Sequence, residues 1–410
     1  MINEELRIGN QTIHNRVVFQ PMEGCDSRPD GGMGVLTVKR YERFASCRAG
    51  IIWMEANAVC KEGKANPHQM SLTQRNLDEF KREISKLKEI SLKENGFESK
   101  IILQLTHSGR HGIRPVTIYR NGVYEINKPS SDEETAADEY LDMLPDLYAD
   151  AAGLAMKAGF DGADVKCCHG YLLSEALSAF KRKGRYGGCF DNRARLFLNC
   201  AEGAKSRMES GKILTSRLGV YDGVPYPEGF GCDENNNVDL TEPKSLIRRL
   251  QKYGVGLLNI TVGNPYYNPH VNRPFDVGAY KPPESQAAGL KRFYDVTKEL
   301  KESFPEIKFV VSGLTYYKKE VFKASERMLS DGVCDLLGFG RLSLAYPEFY
   351  KDYSDGCFKP EKCCLACSKC SRLMREKSAS GCAVFDRYYR NLYKEKVLCA
   401  SHSSQARTAE

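Results

Sequence analysis

Short apolar runs rich in β-branched residues alternate with longer amphipathic segments along the chain. This alternation is typical of parallel strands joined by crossover helices. Eight runs can be counted: 17–20, 51–54, 101–105, 162–166, 213–217, 257–262, 308–312 and 335–338. Eight parallel strands predict an α/β fold, a closed (β/α)8 TIM barrel.

The segments between the runs carry helix signals. Residues 147–158 are apolar at helical spacing and end before Gly159, and residues 246–252 end shortly before Gly254. Glycine commonly follows a helix because it adopts the left-handed conformation without a steric penalty. Each of these helices leads directly into a predicted strand, as a barrel requires.

Composition limits the partners of the chain. Its 410 residues include 60 Lys or Arg and 53 Asp or Glu, a formal net charge of +7, without a long basic run. We therefore expect no nucleic-acid partner, whereas anionic small molecules fit the charge. The N-terminus lacks the layout of a secretion signal and no stretch is apolar enough to span a bilayer, so we expect no membrane partner and a cytoplasmic location. Assembly into a homo-oligomer is also compatible with this composition.

Four cysteines near the C-terminus have the spacing of a metal centre. Cys364, Cys367 and Cys370 are three residues apart, and Cys382 follows after eleven intervening residues. Thiols stay reduced in the cytoplasm, so these side chains are better interpreted as metal ligands than as disulfides. The spacing favours a 4Fe-4S cluster, with a structural zinc site as the alternative. Two further cysteines leave the ligand register open: Cys357 and Cys363.

The chain is predicted to have three parts. Residues 1–355 form the barrel, residues 356–400 form a cysteine-rich extension that holds the cluster against the barrel, and the small, polar residues 401–410 are expected to be disordered. No GxxxxGK[ST] phosphate loop is present. The remainder after Cys382 is too short for a nucleotide-binding domain.

The predicted strand ends are rich in polar and charged residues. In a (β/α)8 barrel the carboxyl ends of the strands face the active site. The candidates there are Pro21, Met22, Glu23, Ala56, Gln104, Lys166, His169, Tyr171, Arg217, Gly313, Gly340 and Arg341. This concentration predicts a catalytic site at one mouth of the barrel.

Several ordered motifs carry a family resemblance. They are Asn-Arg-Val-Val-Phe-Gln-Pro-Met at 15–22, Gln-Leu-Thr-His-Ser-Gly-Arg at 104–110, Ala-Gly-Phe-Asp-Gly at 158–162, His-Gly-Tyr-Leu-Leu at 169–173, Tyr-Gly-Gly-Cys-Phe-Asp-Asn-Arg at 186–193, and Gly-Arg at 340–341 ahead of Ala-Tyr-Pro at 345–347. In these motifs the chain resembles the Old Yellow Enzyme flavoproteins. Its cysteine pattern is similar to that of the iron–sulfur members, which include 2,4-dienoyl-CoA reductase and trimethylamine dehydrogenase.

The resemblance implies a bound FMN across the barrel mouth. Its rings would lie against Pro21, Met22, Glu23 and Ala56 from the first strands. Gln104 would hydrogen-bond the pyrimidine, and Arg217 would stabilise negative charge at N1 and O2. After the last two strands, the phosphate would be held by backbone N–H groups around Gly313 and Leu314, by Gly340 and by the Arg341 side chain. Without a flavin, Gln104 and Arg217 would be satisfied polar groups of a barrel layer.

The segment after the fourth predicted strand carries the expected catalytic residues. The resemblance makes Tyr171 a proton donor, and Lys166 with His169 would polarise a substrate carbonyl. Relatives tend to have His or Tyr where Lys166 stands, and the added cation suits a carboxylate. Two structural alternatives stay open: an ion pair of Lys166 with Asp164 or Glu55, and a packed ring at Tyr171.

The expected function is that of an FMN- and 4Fe-4S-dependent oxidoreductase. We expect an ene-reductase that transfers hydride from flavin N5 to an activated C=C bond of an unsaturated carbonyl or carboxylate substrate. NAD(P)H is the expected transient reductant, and a protein electron donor is the other source. The alternatives are an amine or alcohol dehydrogenase that passes electrons out through the cluster, an electron-transfer subunit, and a zinc-stabilised barrel without redox function.

Two further segments are expected near the site. Residues 107–142 are expected to cover it and to influence substrate choice. After the sixth predicted strand, an aromatic group would either stack on a planar ligand or pack a loop: Tyr266, Tyr267 and His270.

Overall fold

A parallel barrel forms the centre of the molecule in the computed structural model, which describes residues 1–126, 129–276 and 280–399. The strands are β1 (Leu6–Ile8), β2 (Gln11–Ile13), β3 (Val17–Phe19), β4 (Ile51–Ala58), β5 (Lys100–Thr106), β6 (Gly162–Val165), β7 (Ile213–Gly219), β8 (Leu257–Thr261), β9 (Lys308–Val311) and β10 (Leu336–Phe339). Strands β3 to β10 pair in sequence order, and β10 closes the barrel against β3. The predicted fold is confirmed, and each predicted run coincides with one barrel strand.

Strands β1 and β2 form an antiparallel hairpin outside the barrel sheet, with Leu6 opposite Ile13. Ile8 and Ile13 pack in one cluster with inward residues of the barrel, including Val18 and Trp53. The hairpin therefore covers the amino-terminal mouth of the barrel and leaves the opposite mouth for the site. Sequence analysis missed it because three residues are too few to show an alternating pattern.

Helices surround the barrel, and most connect consecutive strands. They are α1 (Val35–Ala45), α2 (Leu77–Asn95), α3 (Asp138–Lys157), α4 (Leu172–Leu177), α5 (Phe190–Ser206), α6 (Thr241–Gln251), α7 (Pro269–Asn272), α8 (Gln286–Ser303), α9 (Val321–Ser330), α10 (Arg341–Ala345), α11 (Phe349–Ser354), α12 (Lys369–Arg375) and α13 (Arg387–Tyr393). The chain also has 3₁₀ turns at Gly109–His111, Asp132–Glu134, Leu314–Glu320 and Pro360–Lys362, and a π-helical turn at Lys394–Cys399.

Both predicted helices exist, but each begins earlier than expected. Helix α3 starts at Asp138, ahead of the predicted residues 147–158, and has Pro145 in its interior. Helix α6 starts at Thr241 and has Pro243 in its first turn. A proline is tolerated in a first turn because its missing N–H has no intrahelical partner there.

The cysteine-rich extension packs on the barrel near its carboxyl-terminal mouth. Its small core contains Leu373, Ala383 and Tyr393. The Ser380 amide donates a hydrogen bond to the Gly24 carbonyl, at 2.7 Å, just after β3. The expected disorder of residues 401–410 lies outside the described residues. Among the helices that the structure describes, none has the length and apolarity needed to cross a bilayer.

Candidate active site

A cavity opens at the carboxyl-terminal ends of the barrel strands, with an empty volume of about 1250 Å³ that includes space open to solvent. The sequence-predicted residues that line it are Pro21, Met22, Glu23, Ala56, Gln104, Lys166, His169, Tyr171, Arg217, Gly313, Gly340 and Arg341. Leu314, of which only the backbone N–H was expected at the phosphate, has its side chain in the hydrophobic core and does not line the cavity. Barrel closure therefore collects the other predicted residues, from distant parts of the chain, around one space.

Lys166 follows β6 directly and is 6% exposed. Its ammonium group lies 3.9 Å from the centroid of the Tyr171 ring, in a cation–π contact. Burial lowers the pKa of Lys166 from its ordinary value, and the charges of neighbours such as Glu23 oppose that shift. The cavity thus has a cation directly beside the expected proton donor.

The carboxylates proposed as partners of Lys166 are engaged elsewhere. Asp164 accepts a hydrogen bond from Gln104 at 2.7 Å, and Glu55 pairs with Arg40 at 2.5 Å. Within residues 1–126 and 129–276, where all these side chains lie, neither carboxylate forms an ion pair with Lys166. The ion-pair interpretation of Lys166 is therefore wrong.

His169 and Tyr171 are positioned by the loop after β6. His169 has a φ of 67°, in the left-handed region that few residues other than glycine adopt. Its Nε2 lies 3.4 Å from Asn272 Nδ2, and burial holds the pKa of His169 well below its ordinary value. The Tyr171 hydroxyl lies 3.2 Å from the Tyr266 hydroxyl, and burial raises the pKa of Tyr171 well above its ordinary value. A neutral imidazole and a protonated phenol therefore line the same cavity.

Arg217, on β7, is a cation with unused hydrogen-bonding capacity. Its Nε is buried and has no hydrogen-bond partner among the described residues, and burial lowers the pKa of Arg217. An unsatisfied buried donor is costly unless a ligand supplies the acceptor. The pyrimidine oxygen and ring nitrogen of FMN are acceptors of this kind, so Arg217 fits the flavin that the resemblance implies.

Gln104 is oriented by the buried carboxylate of Asp164. Asp164 accepts hydrogen bonds from Gln104 Nε2 at 2.7 Å, from Trp53 Nε1 at 2.8 Å and from the Arg217 backbone amide at 2.7 Å. Burial nevertheless raises the pKa of Asp164 to about 6. Because the amide nitrogen of Gln104 is directed at Asp164, its carbonyl oxygen is the atom suited to accept a ligand N–H.

Glu23, which follows β3, accepts a hydrogen bond from Asn66 Nδ2 at 2.6 Å. Burial raises the pKa of Glu23, and the nearby charge of Lys166 lowers it. Among the described residues that line the cavity, it is the one acidic side chain, opposite five cationic ones: Lys166, Arg217, Arg273, Arg341 and Arg375. This imbalance suits an anionic cofactor and an anionic substrate.

The opposite end of the cavity has features of a phosphate site. Gly313 has a φ of 87°, which favours glycine, and a Cβ there would lie 3.3 Å from the Phe293 ring. Arg341 is 8% exposed and lies over the Tyr316 ring, 5.6 Å from its centroid. A buried guanidinium beside a glycine turn fits the FMN phosphate.

Sequence analysis missed the residues that the extension and the loop after β8 add to the cavity. Ser371, Met374 and Arg375 of α12 line it, and Arg273 donates a hydrogen bond to Ser371 Oγ at 3.4 Å. No local pattern around Ser371 indicated this position, because it follows from how the extension packs. The cation at Arg273, after an aromatic loop, was the one available signal.

The expected cover, residues 107–142, packs beside the site. Arg110 is buried and pairs with Glu175 of α4 at 2.8 Å, and Ile118 is fully buried. His111 stacks on the Tyr266 ring with centroids 3.6 Å apart. Tyr266 of the aromatic loop after β8 thus packs on a neighbour and also lines the cavity, so both interpretations of this loop stay open. Residues 127 and 128 of this segment lie outside the described residues.

The four predicted cluster ligands surround a second pocket. Cys364, Cys367, Cys370 and Cys382 line it, with about 340 Å³ of empty space, whereas Cys357 and Cys363 do not. In the described part of the chain, no three His, Cys, Asp or Glu side chains converge closely enough to hold a single metal ion. Four thiols are the donor set of a 4Fe-4S cluster, and a structural zinc site uses the same donors.

The backbone of the cysteine loop is shaped around these thiols. Ala366 and Ser368 have φ values of 56° and 58°, in the left-handed region. The Ala366 amide donates a hydrogen bond to Cys364 Sγ at 3.4 Å. Amide bonds to the sulfurs are one means by which proteins adjust cluster potentials. The donor set and the loop geometry therefore fit the cluster.

Arg341 connects the two pockets. It lines both of them, and its guanidinium donates a hydrogen bond to Ser368 Oγ in the cysteine loop at 3.4 Å. A phosphate held by Arg341 would lie within one side chain of the cysteine pocket. This arrangement would bring a flavin and a cluster close together.

Known proteins resemble this chain in sequence. A model of the NADH:flavin oxidoreductase / NADH oxidase family matches residues 2–242. The NADPH dehydrogenase of Geobacillus thermodenitrificans (strain NG80-2) is 27% identical over 259 residues, 62% of this chain and 70% of that relative. The NADH oxidase of Thermoanaerobacter brockii is 25% identical over 377 residues, 89% of this chain and 52% of that relative.

Solved structures share the fold. A complex of 2-naphthoyl-CoA reductase with 2-naphthoyl-CoA superposes with a TM-score of 0.78 at 19% identity, and covers 95% of this chain and 57% of that chain. Histamine dehydrogenase from Rhizobium sp. 4-9 superposes with a TM-score of 0.70 at 17% identity, and covers 93% and 52%. At these identities the likeness establishes the fold, and the chain spans little more than half the length of both proteins.

Proposed function

We propose that this chain, which belongs to the NADH:flavin oxidoreductase / NADH oxidase family, is an ene-reductase. Membership makes the chain a flavin-dependent oxidoreductase. The finer proposal concerns the substrate, an activated C=C bond conjugated to a carbonyl or carboxylate group. It rests on one observation, that a cation, a neutral imidazole and a protonated phenol line the cavity together at Lys166, His169 and Tyr171.

The cavity residues divide into cofactor and substrate contacts. When bound, FMN supplies the hydride that is added to the substrate β-carbon. Gln104 and Arg217 would hold its pyrimidine, and Arg341 its phosphate, beside Gly313 and Gly340. Glu23, with Pro21, Met22 and Ala56, would border the ring. Binding would give Arg217 Nε the acceptor that the described residues do not provide.

The substrate contacts follow from charge and protonation. The Lys166 ammonium and the His169 imidazole would donate hydrogen bonds to the substrate oxygen and stabilise the negative charge that develops there. Tyr171 would then transfer its proton to the α-carbon. A phenol with a raised pKa keeps its proton until a strongly basic carbanion forms. Lys166, beside the Tyr171 ring, would stabilise the resulting phenolate.

The charge of the cavity supports an anionic substrate. Five cationic side chains and one acidic side chain line it among the described residues. The FMN phosphate would neutralise part of the excess, near Arg341, and a substrate carboxylate would neutralise more. A cationic amine would meet repulsion from Lys166 and Arg273, which argues against the amine-dehydrogenase alternative.

The extension supports a 4Fe-4S cluster held by the four thiols of the cysteine pocket. NAD(P)H would reach the open cavity directly, whereas single electrons from a protein donor would enter through the cluster. Arg341, shared by both pockets, lies between the two centres in this proposal. Relatives with dehydrogenase and oxidase names favour the nucleotide.

An anaerobic absorption spectrum with iron, sulfide and flavin analysis tests the cofactors. We expect flavin bands, about four irons per chain, and bleaching by NADH or NADPH. Bleaching by dithionite alone would instead support a protein electron donor. The purified enzyme is then supplied with neutral enones, unsaturated carboxylates and enoyl thioesters. Uptake of electrons without consumption of any alkene would contradict the ene-reductase and favour an electron-transfer subunit.

Tyr171→Phe tests the assigned proton donor. We expect flavin content to stay unchanged and alkene reduction to fall by about 10²–10⁴-fold, the usual contribution of a general acid. Tyr267→Phe is the matched control, since it removes a phenol oxygen from the same face of the barrel. Equal turnover in Tyr171→Phe and wild type would remove the role of Tyr171.

A further inference from the structure

The hydroxyl of Tyr171 lies against a second phenol. Its oxygen is 3.2 Å from the Tyr266 oxygen, whereas the Tyr171 side chain as a whole is buried, at 6% exposed. A buried acid that gives up its proton in every turnover must recover it from solvent. Tyr266 occupies the position through which a proton could return.

Tyr266 is suited to that task because it reaches solvent and is held in place. The residue is 49% exposed, in the loop after β8. Its ring stacks on His111 with centroids 3.6 Å apart and planes 14° apart. Its backbone amide donates a hydrogen bond to Asn264 Oδ1 at 2.9 Å, and Asn264 Nδ2 donates to the Tyr124 hydroxyl at 2.6 Å. These contacts fix the direction of the Tyr266 hydroxyl.

We propose that Tyr266 is a proton relay that returns a proton from solvent to Tyr171 after each reduction. This inference rests on the proposed ene-reductase activity. In the first step, the Tyr171 O–H bond breaks and a C–H bond forms at the substrate α-carbon, while the hydride has gone to the β-carbon. In the second, the Tyr266 O–H bond breaks and the Tyr171 O–H bond forms again. In the third, water protonates Tyr266 and the released hydroxide enters the solvent.

The electrostatic surroundings favour this direction of transfer. Burial raises the pKa of Tyr266 to about 12 and raises the pKa of Tyr171 well above its ordinary value, so both phenols carry protons at neutral pH. The phenolate left at Tyr171 is therefore a strong base, and it takes the proton from the Tyr266 hydroxyl 3.2 Å away. The other titratable or charged groups that face the pair are Lys166, Glu23, Cys25, Cys168, His111 and Arg273.

The charged neighbours act on the two phenols differently. Lys166 lies over the Tyr171 ring and stabilises its phenolate briefly. Glu23 raises the pKa of both phenols, and Arg273 lowers that of Tyr266. Arg273 thus assists the outer phenol when it is transiently ionised. A different cationic residue therefore stabilises each phenolate: Lys166 at Tyr171 and Arg273 at Tyr266.

The first test compares Tyr266→Phe with Tyr267→Phe in the FMN-loaded enzyme. We expect Tyr266→Phe to lower kcat about tenfold, with a larger solvent deuterium isotope effect and a steeper loss of rate at high pH. In D2O the product should still carry deuterium on a single face of the α-carbon, because Tyr171 still delivers it. Tyr267→Phe, which has no hydrogen bond to Tyr171, should match wild type. A Tyr266→Phe enzyme with wild-type kcat, isotope effect and pH profile would overturn the relay.

The second test does not depend on turnover. Difluorotyrosine is incorporated at position 171 of the full FMN-loaded chain, and its ionisation is followed by ¹⁹F NMR. Removing the Tyr266 hydroxyl should shift the pKa at position 171 by about one unit, because the two hydroxyls lie within hydrogen-bonding distance of each other. Tyr267→Phe should leave it unchanged. An unshifted pKa in Tyr266→Phe would refute the coupling of the two phenols, whereas failure of wild type to reduce any alkene would refute the proposed activity alone.

Discussion

Replacing Arg217 by Met should separate the binding of FMN from the stability of the protein. Arg217 Nε is buried without a partner in the described residues. In the FMN-free protein, a Met of similar length removes a charge that gains little from its surroundings. We expect the free energy of unfolding to stay within about 1 kcal/mol of wild type, or to increase, because buried charges can be replaced by apolar residues without loss.

Arg40 provides the opposite case in the same barrel. Its side chain is buried, and its guanidinium pairs with Asp26 at 2.6 Å and with Glu55 at 2.5 Å. Arg40→Met leaves two buried carboxylates without their cation. Breaking a buried pair from one side costs about 3–5 kcal/mol. The two variants therefore differ in expected stability although they remove the same chemical group.

For FMN affinity, the two variants should rank in the reverse order, with Arg217→Met losing more than Arg40→Met. Arg217 would donate to the pyrimidine, and a charged hydrogen bond contributes about 2 kcal/mol, which is roughly thirtyfold in Kd. Urea unfolding of FMN-free protein and quenching of FMN fluorescence measure the two quantities. The reasoning would be refuted if Arg217→Met lost more than about 2 kcal/mol without FMN, or if it bound FMN as tightly as wild type.

Three further outcomes follow from other parts of the structure. Lys166→Met should raise KM more for unsaturated carboxylates than for neutral enones, and an equal loss for both would reject a carboxylate contact. Cys382→Ser should lower iron content while Cys357→Ser keeps it, since only the first lines the cysteine pocket; equal iron loss in both would reject the ligand assignment. Burial raises the pKa of Asp222 from 3.8 to about 7, so the folded protein holds a proton that the unfolded chain releases, and stability from this group falls as pH rises from about 4 to 7. The free energy of unfolding of Asp222→Asn, measured in urea relative to wild type, should therefore increase between pH 5 and pH 8. A difference that stays constant over this pH range would contradict the pKa shift.

The barrel could be predicted because its strands are local patterns. Each apolar run identified its own strand, since a strand buried on both faces needs β-branched and aliphatic residues throughout. The cysteine spacing is also a local pattern, and the four residues that it indicated line one pocket. Helix starts were harder to predict from the sequence, since α3 begins well before Pro145 and continues through it.

The candidate site was predictable in its residues but not in its contacts. Strand ends indicated Lys166 and Tyr171, yet the sequence offered Asp164 as a partner of Lys166. In the folded protein Asp164 instead accepts hydrogen bonds from Trp53 and Gln104. A carboxylate has several candidate donors within a barrel, and only the packing of neighbouring strands decides which of them comes within hydrogen-bonding distance.

The sequence by itself determined the strands, the cysteine spacing and the kinds of side chain at the cavity, because these depend on residue types and short-range spacing. The tertiary structure alone decided that α12 reaches the cavity through Ser371, that Arg341 borders both pockets, and that Tyr266 meets Tyr171. These contacts join residues far apart in the chain. They exist only once barrel closure brings the loops together, and no local pattern encodes the distance between two loops.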